Sequence, residues 1–167
     1  MKKAVGRSVL TGLLALLVAV VGLPTQAASA HGITGNNWRA NHTICQTCAV
    51  RSGNIVRLWQ SMLWADRYVG DSTAFIDGSF GPDTRAATIR WQRAHGLTGD
   101  GSVGPDTWSK AKQYVLSLGH IENGWEEHAF PNPAASRQLA LRKNTRTGVW
   151  QFANPRASGL VWTNADH

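Results

Sequence analysis

Residues 77–84 read DGSFGPDT and residues 100–107 read DGSVGPDT, the same eight letters except for Phe80 against Val103. A unit this short is no domain; it is one local solution used twice. Asp77-Gly78 and Asp100-Gly101 spell tight turns, because Asp bonds its own backbone two residues on and Gly accepts the left-handed conformation. The apolar residue that follows, Phe80 or Val103, is placed to plug a core. Gly81-Pro82-Asp83 and Gly104-Pro105-Asp106 then launch helices. Pro sits at the first helical position, where its missing N–H costs nothing, and the Asp complements the positive helix end. Bonding within the turn is the ordinary use of Asp-Gly, which sets Asp77 and Asp100 aside as metal or catalytic candidates.

Outward from the repeats the helices follow. The first repeat predicts a helix through Thr84, Ala87, Thr88 and Trp91, spaced i, i+3, i+4, i+7. It should stop at His95, with Gly96 left-handed after it and Leu97 supplying the accompanying apolar contact. The second repeat predicts a helix carrying Trp108, Ala111 and Val115 and ending near Gly119. Upstream, Asn54 reads as an N-cap for a helix with two apolar rows, Ile55, Leu58 and Met62 beside Val56, Trp59 and Leu63. One surface helix needs one stripe, so this helix is either central or covered by something outside its own bundle. The fold class expected is mainly α, a three-helix unit over residues 54–119 with a small C-terminal antiparallel β segment.

The flanks set the compartment. Lys2, Lys3 and Arg7, the apolar run from Val9 to Leu23, and Ala28-Ser29-Ala30 form a secretory leader over residues 1–30. The apolar stretch is short for a bilayer span, so the mature chain is expected to be exported, soluble and free of the membrane. Three of the 17 basic residues leave with the leader and none of the 10 acids, so the net charge falls from +7 to +4. Scattered positive charge on an exported chain argues against nucleic acid as a partner and suits an anionic cell surface. Residues 31–53 read as a polar segment holding both cysteines, Cys45 and Cys48. An even count in an exported protein reads first as a disulfide. A zinc site using His42 lacks a fourth ligand at a suitable spacing, and a redox motif lacks its βαβ setting. Residues 120–136 read as a linker. Residues 137–167 then give strand, turn and strand in RQLALRK, NTRTG and GVWQFAN, with GLVWTN as a possible third strand. Leu139, Leu141, Val149, Phe152 and Trp162 need burial, and the apolar surplus of the first helix is the place for it.

These residues resemble the peptidoglycan-binding domain 1 family. Its pattern is met by Val56, Trp59-Gln60, Asp77 to Thr84, Trp91-Gln92, Gly96-Leu97 and Asp100 to Trp108. Trp replaces the usual aliphatic at 59 and Phe at 91, and Ala111 is smaller than the usual Leu. The resemblance covers roughly residues 54–116 and implies a small three-helix module that binds peptidoglycan noncovalently, with no catalysis of its own.

A search for hydrolase chemistry finds no constellation. The His at 31, 42, 95, 120, 128 and 167 stand apart, without H-x-H or H-E-x-x-H. Both Cys precede the module, and Glu122, Glu126 and Glu127 cluster in the linker as a solvated face. The expectation is therefore a monomeric wall-binding protein, not an enzyme, with no metal and no cofactor. The alternatives are an accessory or remnant of a cell-wall hydrolase, or an anchored interaction protein whose partner the sequence does not name. A glycan with peptide carboxylates calls for aromatic platforms, an Arg and polar donors. Trp64, Asp66 and Tyr68 at the end of the first helix, with Arg90, Arg93 and His95 at the end of the second, are the candidates. Trp64 reads equally as cover for the C-terminal strands, and Gln60 and Gln92 read as buried amides bonded to backbone.

Overall fold

A computed structural model describes residues 32–131 and 137–166; the expected leader lies outside them. Three helices, α1 (Asn54–Ala65), α2 (Pro82–Ala94) and α3 (Pro105–Gln113), are followed by five strands: β1 (Leu116–Glu122), β2 (Trp125–Phe130), β3 (Leu139–Asn144), β4 (Trp150–Ala153) and β5 (Trp162–Asn164). The strands form one antiparallel sheet in the order β1-β2-β3-β4-β5. The expectation of a mainly α protein is overturned: this is an α and β fold, with a substantial five-stranded sheet beside the helical unit.

The error lies in residues 114–130. The third helix stops at Gln113, six residues before Gly119, and the stretch read as linker supplies the end of β1 and all of β2. Asn123-Gly124 joins them, both residues left-handed (φ 50° and 79°), the strongest short-range hairpin signal there is. Glu122 lies on β1, which is exposed along its whole length, whereas Glu126, read from sequence as solvated, is half-buried on β2 and pairs with Lys143 at 2.7 Å.

The starts of α2 and α3 and the stop of α2 agree with the sequence. Gly81 and Gly104 hold extended backbone, and Pro82 and Pro105 open the helices behind them. At the end of α2, Gly96 has φ 75°, and Leu97 N–H returns to the Gln92 carbonyl at 2.8 Å while Gly96 N–H meets Arg93 at 3.2 Å, the paired bonds of a Schellman cap. Asn54 is the first helical residue rather than the cap, and its amide donates to Asp166 Oδ1 at 3.0 Å.

Each repeat is latched by a glutamine from the preceding helix. Gln60 Nε2 donates toward Asp77 Oδ1 (2.8 Å), the Ser79 carbonyl (3.0 Å) and Thr84 Oγ1 (3.0 Å), and its Oε1 accepts from Gly78 N–H at 2.8 Å. Gln92 repeats the set with Asp100 (2.8 Å), Ser102 (2.8 Å), Thr107 (3.0 Å) and Gly101 N–H (2.9 Å). Asp77 and Asp100 also accept from Ser79 and Ser102 N–H, both at 2.8 Å. The Asx turn predicted from the letters is present twice. Gly78 has φ 80°, a backbone conformation that favours glycine, and the Arg57 side chain lies against its open face.

The N-terminal segment is less polar in role than in composition. Cys45 and Cys48 form a disulfide, with Cα atoms 5.0 Å apart. Ile33, Trp38 and Ile44 are buried, and Ile44 exchanges backbone bonds with Val103 at 3.2 and 2.9 Å. Trp38 packs edge-on against Trp108 (6.2 Å) and Trp150 (5.3 Å), and Trp108 against Trp59 (5.7 Å), which meets Trp91 at 5.1 Å. This chain of indoles makes one core of the helices, the N-terminal segment and the sheet. The surplus apolar face of α1 is covered by the sheet, whose inner side carries Leu139, Leu141, Phe130, Trp150 and Phe152. The ends of the described chain close on one another. Gly32 bridges to Asp166, Ile33 N–H bonds Ala165, and Ile55 N–H at the head of α1 bonds the Asp166 carbonyl at 2.6 Å.

Candidate functional site

The three helices deliver their C-terminal caps to one place: Asp66 caps α1, His95 caps α2 and Tyr114 caps α3. Free carbonyls at helix ends leave partial negative charge there, which favours cations and hydrogen-bond donors. His95 lies on the Trp91 indole, with ring centres 4.0 Å apart and planes 20° from parallel. Tyr114 meets the imidazole edge-on at 4.9 Å and Tyr68 tilts against it at 5.9 Å.

His95 Nδ1 is 2.7 Å from the Trp91 carbonyl, which only accepts, so Nδ1 carries a hydrogen. Nε2 faces Asp66 Oδ2 at 3.6 Å, the same oxygen that accepts from Trp91 Nε1–H at 2.8 Å. Burial raises the Asp66 pKa, opposed by the Trp91 hydrogen bond and by His95. Burial, then the charge of Asp66, raises that of Tyr68. Arg90 is exposed and donates Nη2–H to the Tyr68 carbonyl at 2.9 Å. A carboxylate, an imidazole, a guanidinium and two phenol rings therefore share one surface. It can engage ammonium and carboxylate groups while a flat or ring-shaped body rests on the aromatics.

Of the six residues grouped from sequence, Asp66, Tyr68, Arg90 and His95 meet here. Arg93 leans the other way, its Nε 2.8 Å from where a Cβ on Gly99 would stand. Trp64 is turned toward the sheet. Its Nε1–H donates to the Asp71 carbonyl at 3.0 Å, and the Arg137 guanidinium lies 5.3 Å over its ring while pairing with Asp71. It borders a hollow of about 330 Å³ shared with Leu139, Ala153, Pro155 and Leu160. Two members were missed: Tyr114, which becomes a cap only because α3 stops early, and Trp91, which the apolar row marks as core alone.

The β1–β2 hairpin brings together His120, Glu122 and Glu127, with one donor atom from each lying within 4.8 Å of the others. Sequence spacing set these residues apart as isolated or solvated; the Asn-Gly turn is the signal that would have joined them.

Residues 52–110 match the family described as a peptidoglycan binding domain, over the stretch whose repeats and glutamines carry the resemblance. The chain is 37% identical over 99 residues to the zinc D-Ala-D-Ala carboxypeptidase of Streptomyces albus G, covering 58% of this chain and 37% of that protein. It is 43% identical over 60 residues to an uncharacterized protein in the bpoA1 3′ region of Kitasatospora aureofaciens, covering 35% of this chain and 48% of that one. In both cases the match spans less than half of the relative's length. No solved structure matches the chain.

Proposed function

We propose that this protein binds peptidoglycan noncovalently and without catalysis, with Asp66, Tyr68, Arg90, His95 and Tyr114 as the contact surface. The observation that carries the reading is the convergence of three helix caps on this cluster, with Asp66, Tyr68, Arg90 and His95 inside the stretch that matches the peptidoglycan binding family and Tyr114 just beyond it. Peptidoglycan is a glycan with short peptides that bear carboxylates and amines. Arg90 and His95 suit the carboxylates, Asp66 the ammonium groups, and the two tyrosines the sugar or peptide body. The setting is the cell wall or the medium outside the cell, reached through a leader over residues 1–30, and the working unit is a monomer.

The test is sedimentation of the full chain with purified, insoluble walls. The parent should pellet with walls and leave their turbidity unchanged. Arg90→Ala and His95→Ala, each folded by circular dichroism, should lower binding at least tenfold, about 1.4 kcal/mol or more. Trp64→Ala and Arg93→Ala should bind like the parent. A parent that stays in the supernatant refutes the function; equal binding by all four variants refutes the site.

The match to the zinc carboxypeptidase favours a second reading, because at 99 residues it is longer than the 52–110 stretch and extends beyond it. On that reading the chain is an accessory or remnant of a wall hydrolase. Release of D-alanine from walls incubated with the chain and zinc would replace the noncatalytic reading with this one.

A further inference from the structure

The face of the sheet turned away from the helices carries an ordered row of polar and aromatic groups that the helical site does not use. Antiparallel register sets Glu127, Arg142, Gln151 and Asn164 side by side across β2, β3, β4 and β5. Arg142 Nε–H donates to Gln151 Oε1 at 2.7 Å, and Gln151 Nε2–H donates to Asn164 Oδ1 at 2.8 Å. Trp125 and Trp162 flank this row on its two sides, and the Arg142 guanidinium lies over both indoles, 4.3 Å from each ring centre. Both tryptophans remain half-buried rather than enclosed. Ala129 pairs with Ala140, and Ala153 with Trp162, so the floor around the row is low. Beside Trp162 lies a largely apolar hollow of about 150 Å³, bordered by Leu118, Ala140 and Leu160.

We propose that this sheet face is a second binding platform, for a neutral saccharide chain bearing N-acetyl groups. The pairing of chemistries selects that ligand. A pyranose presents C–H groups on its ring face and hydroxyls around its rim. The indole face is electron-rich and apolar and receives the former; a ladder of amides and a guanidinium offers donors and acceptors to the latter. The apolar hollow is of a size to accept an acetamido methyl group. Glu127 stands next to Arg142 in the row and offsets its charge, so the platform has no excess positive charge to demand an anionic ligand. Arg142 holds both ring planes in place, so little ordering remains for binding to impose.

The choice of polymer rests on the proposed function, since the glycan strand of the wall is such a chain. Two sites on one molecule would then engage the same polymer, and the second contact would gain from the effective concentration that the first creates.

The probe is the β-1,4-linked tetramer of N-acetylglucosamine, which has no peptide groups for Asp66, Arg90 or His95 to hold, and the indole that responds tells which face it occupies. Titrated into the full chain and followed by indole N–H NMR shifts, it should move the Trp125 and Trp162 signals and leave Trp59 and Trp91 in place. Trp162→Ala and Gln151→Ala should each weaken the tetramer at least tenfold. Asn164→Ala, an exposed change at the end of the row, should weaken it severalfold and serves where a tryptophan variant does not fold. Absence of tetramer binding by the parent overturns the platform, whatever the chain does with walls. Tetramer binding by a chain that never sediments with walls keeps the platform and refutes the helical reading instead. A dimer in light scattering that Trp162→Ala converts to monomer would reassign the face to self-association and overturn the proposal.

Discussion

Replacing Gln92 by methionine keeps the length of the side chain and removes every polar atom of the latch. The side chain is 1% exposed, and four hydrogen bonds end on it. The losses are unequal. Ser102 and Asp100 reach the surface and can turn to water. Gly101 is buried, so its N–H is left without a partner, which costs roughly 1–3 kcal/mol. Thr107, 4% exposed, keeps a longer contact to the Ser102 carbonyl at 3.4 Å; weakening its bond adds about 1 kcal/mol. The sum is about 3 kcal/mol, or a fall of roughly 6–12 °C in Tm at this chain length. Gln60→Met removes an equivalent set around Gly78 and should cost the same within about 1 kcal/mol. Gln92→Glu keeps the acceptor for Gly101 but points a carboxylate at Asp100. It should be worse than methionine at pH 7 and should recover as the pH falls toward 4. Urea unfolding followed by tryptophan fluorescence measures all three. A Gln92→Met cost below 1 kcal/mol, or a glutamate variant indifferent to pH, would show that the turns hold themselves.

Four further outcomes are expected. His128 is buried, its Nε2 3.4 Å from Glu126 Oε1, and neither ring nitrogen has a hydrogen-bond partner among the described residues. Burial lowers its pKa, so its contribution to stability is present above the ordinary histidine value of about 6.5 and is lost as the pH falls below it, by at most about 1.4 kcal/mol per pH unit. His128→Leu should remove that part of the slope, while the part due to Glu126, whose pKa is lowered first by Lys143, begins only below the ordinary glutamate range. Trp38→Ala opens a cavity between Trp108 and Trp150 and should cost about 3–5 kcal/mol by urea unfolding; a cost under 1 would mean that the N-terminal segment is not part of the core. Truncation after Gly119 strips the sheet from α1 and should lower Tm or solubility; an unchanged melt would contradict the shared core. Alkylation of unreduced protein followed by mass spectrometry should find no thiol at Cys45 or Cys48.

What the sequence disclosed was what depends on neighbours in the chain. Gly-Pro-Asp set the helix starts, Gly96-Leu97 the end of α2, and Asn144 to Gly148 the turn between β3 and β4, because each answers a local backbone requirement. The β1–β2 hairpin was announced only by Asn123-Gly124, against a competing helical pattern. Tyr114, Val115 and Leu118 continue a helical spacing, and β1, as an edge strand, buries neither face and so shows no alternation. Trp38 is one apolar residue in a polar stretch, and only non-local packing against Trp108 and Trp150 decides its burial. The candidate site was half legible for a related reason. Composition pointed to the ends of α1 and α2, but which side chains meet there follows from how the helices cross and where α3 stops. Trp64 took the second of its two readings, turned toward the sheet, and Trp91, buried as its apolar row predicts, also carries His95 stacked on its indole.

The closure of residues 32–35 on residues 148–166 has a consequence for the timing of synthesis. Ile33, Trp150 and Ala165 bond one another in a ring of backbone contacts, and the first turn of α1 waits on the Asp166 carbonyl. A ribosome adds about 5–20 residues per second, so several seconds separate the appearance of α1 from that of its last partner. Throughout that interval the helices have no sheet to cover them, and the indole at 38 lacks Trp150 on its far side. The core closes only when residues 148–166 have joined it. Until then the polypeptide stays threadable, and it stiffens once the sheet is laid on the helices.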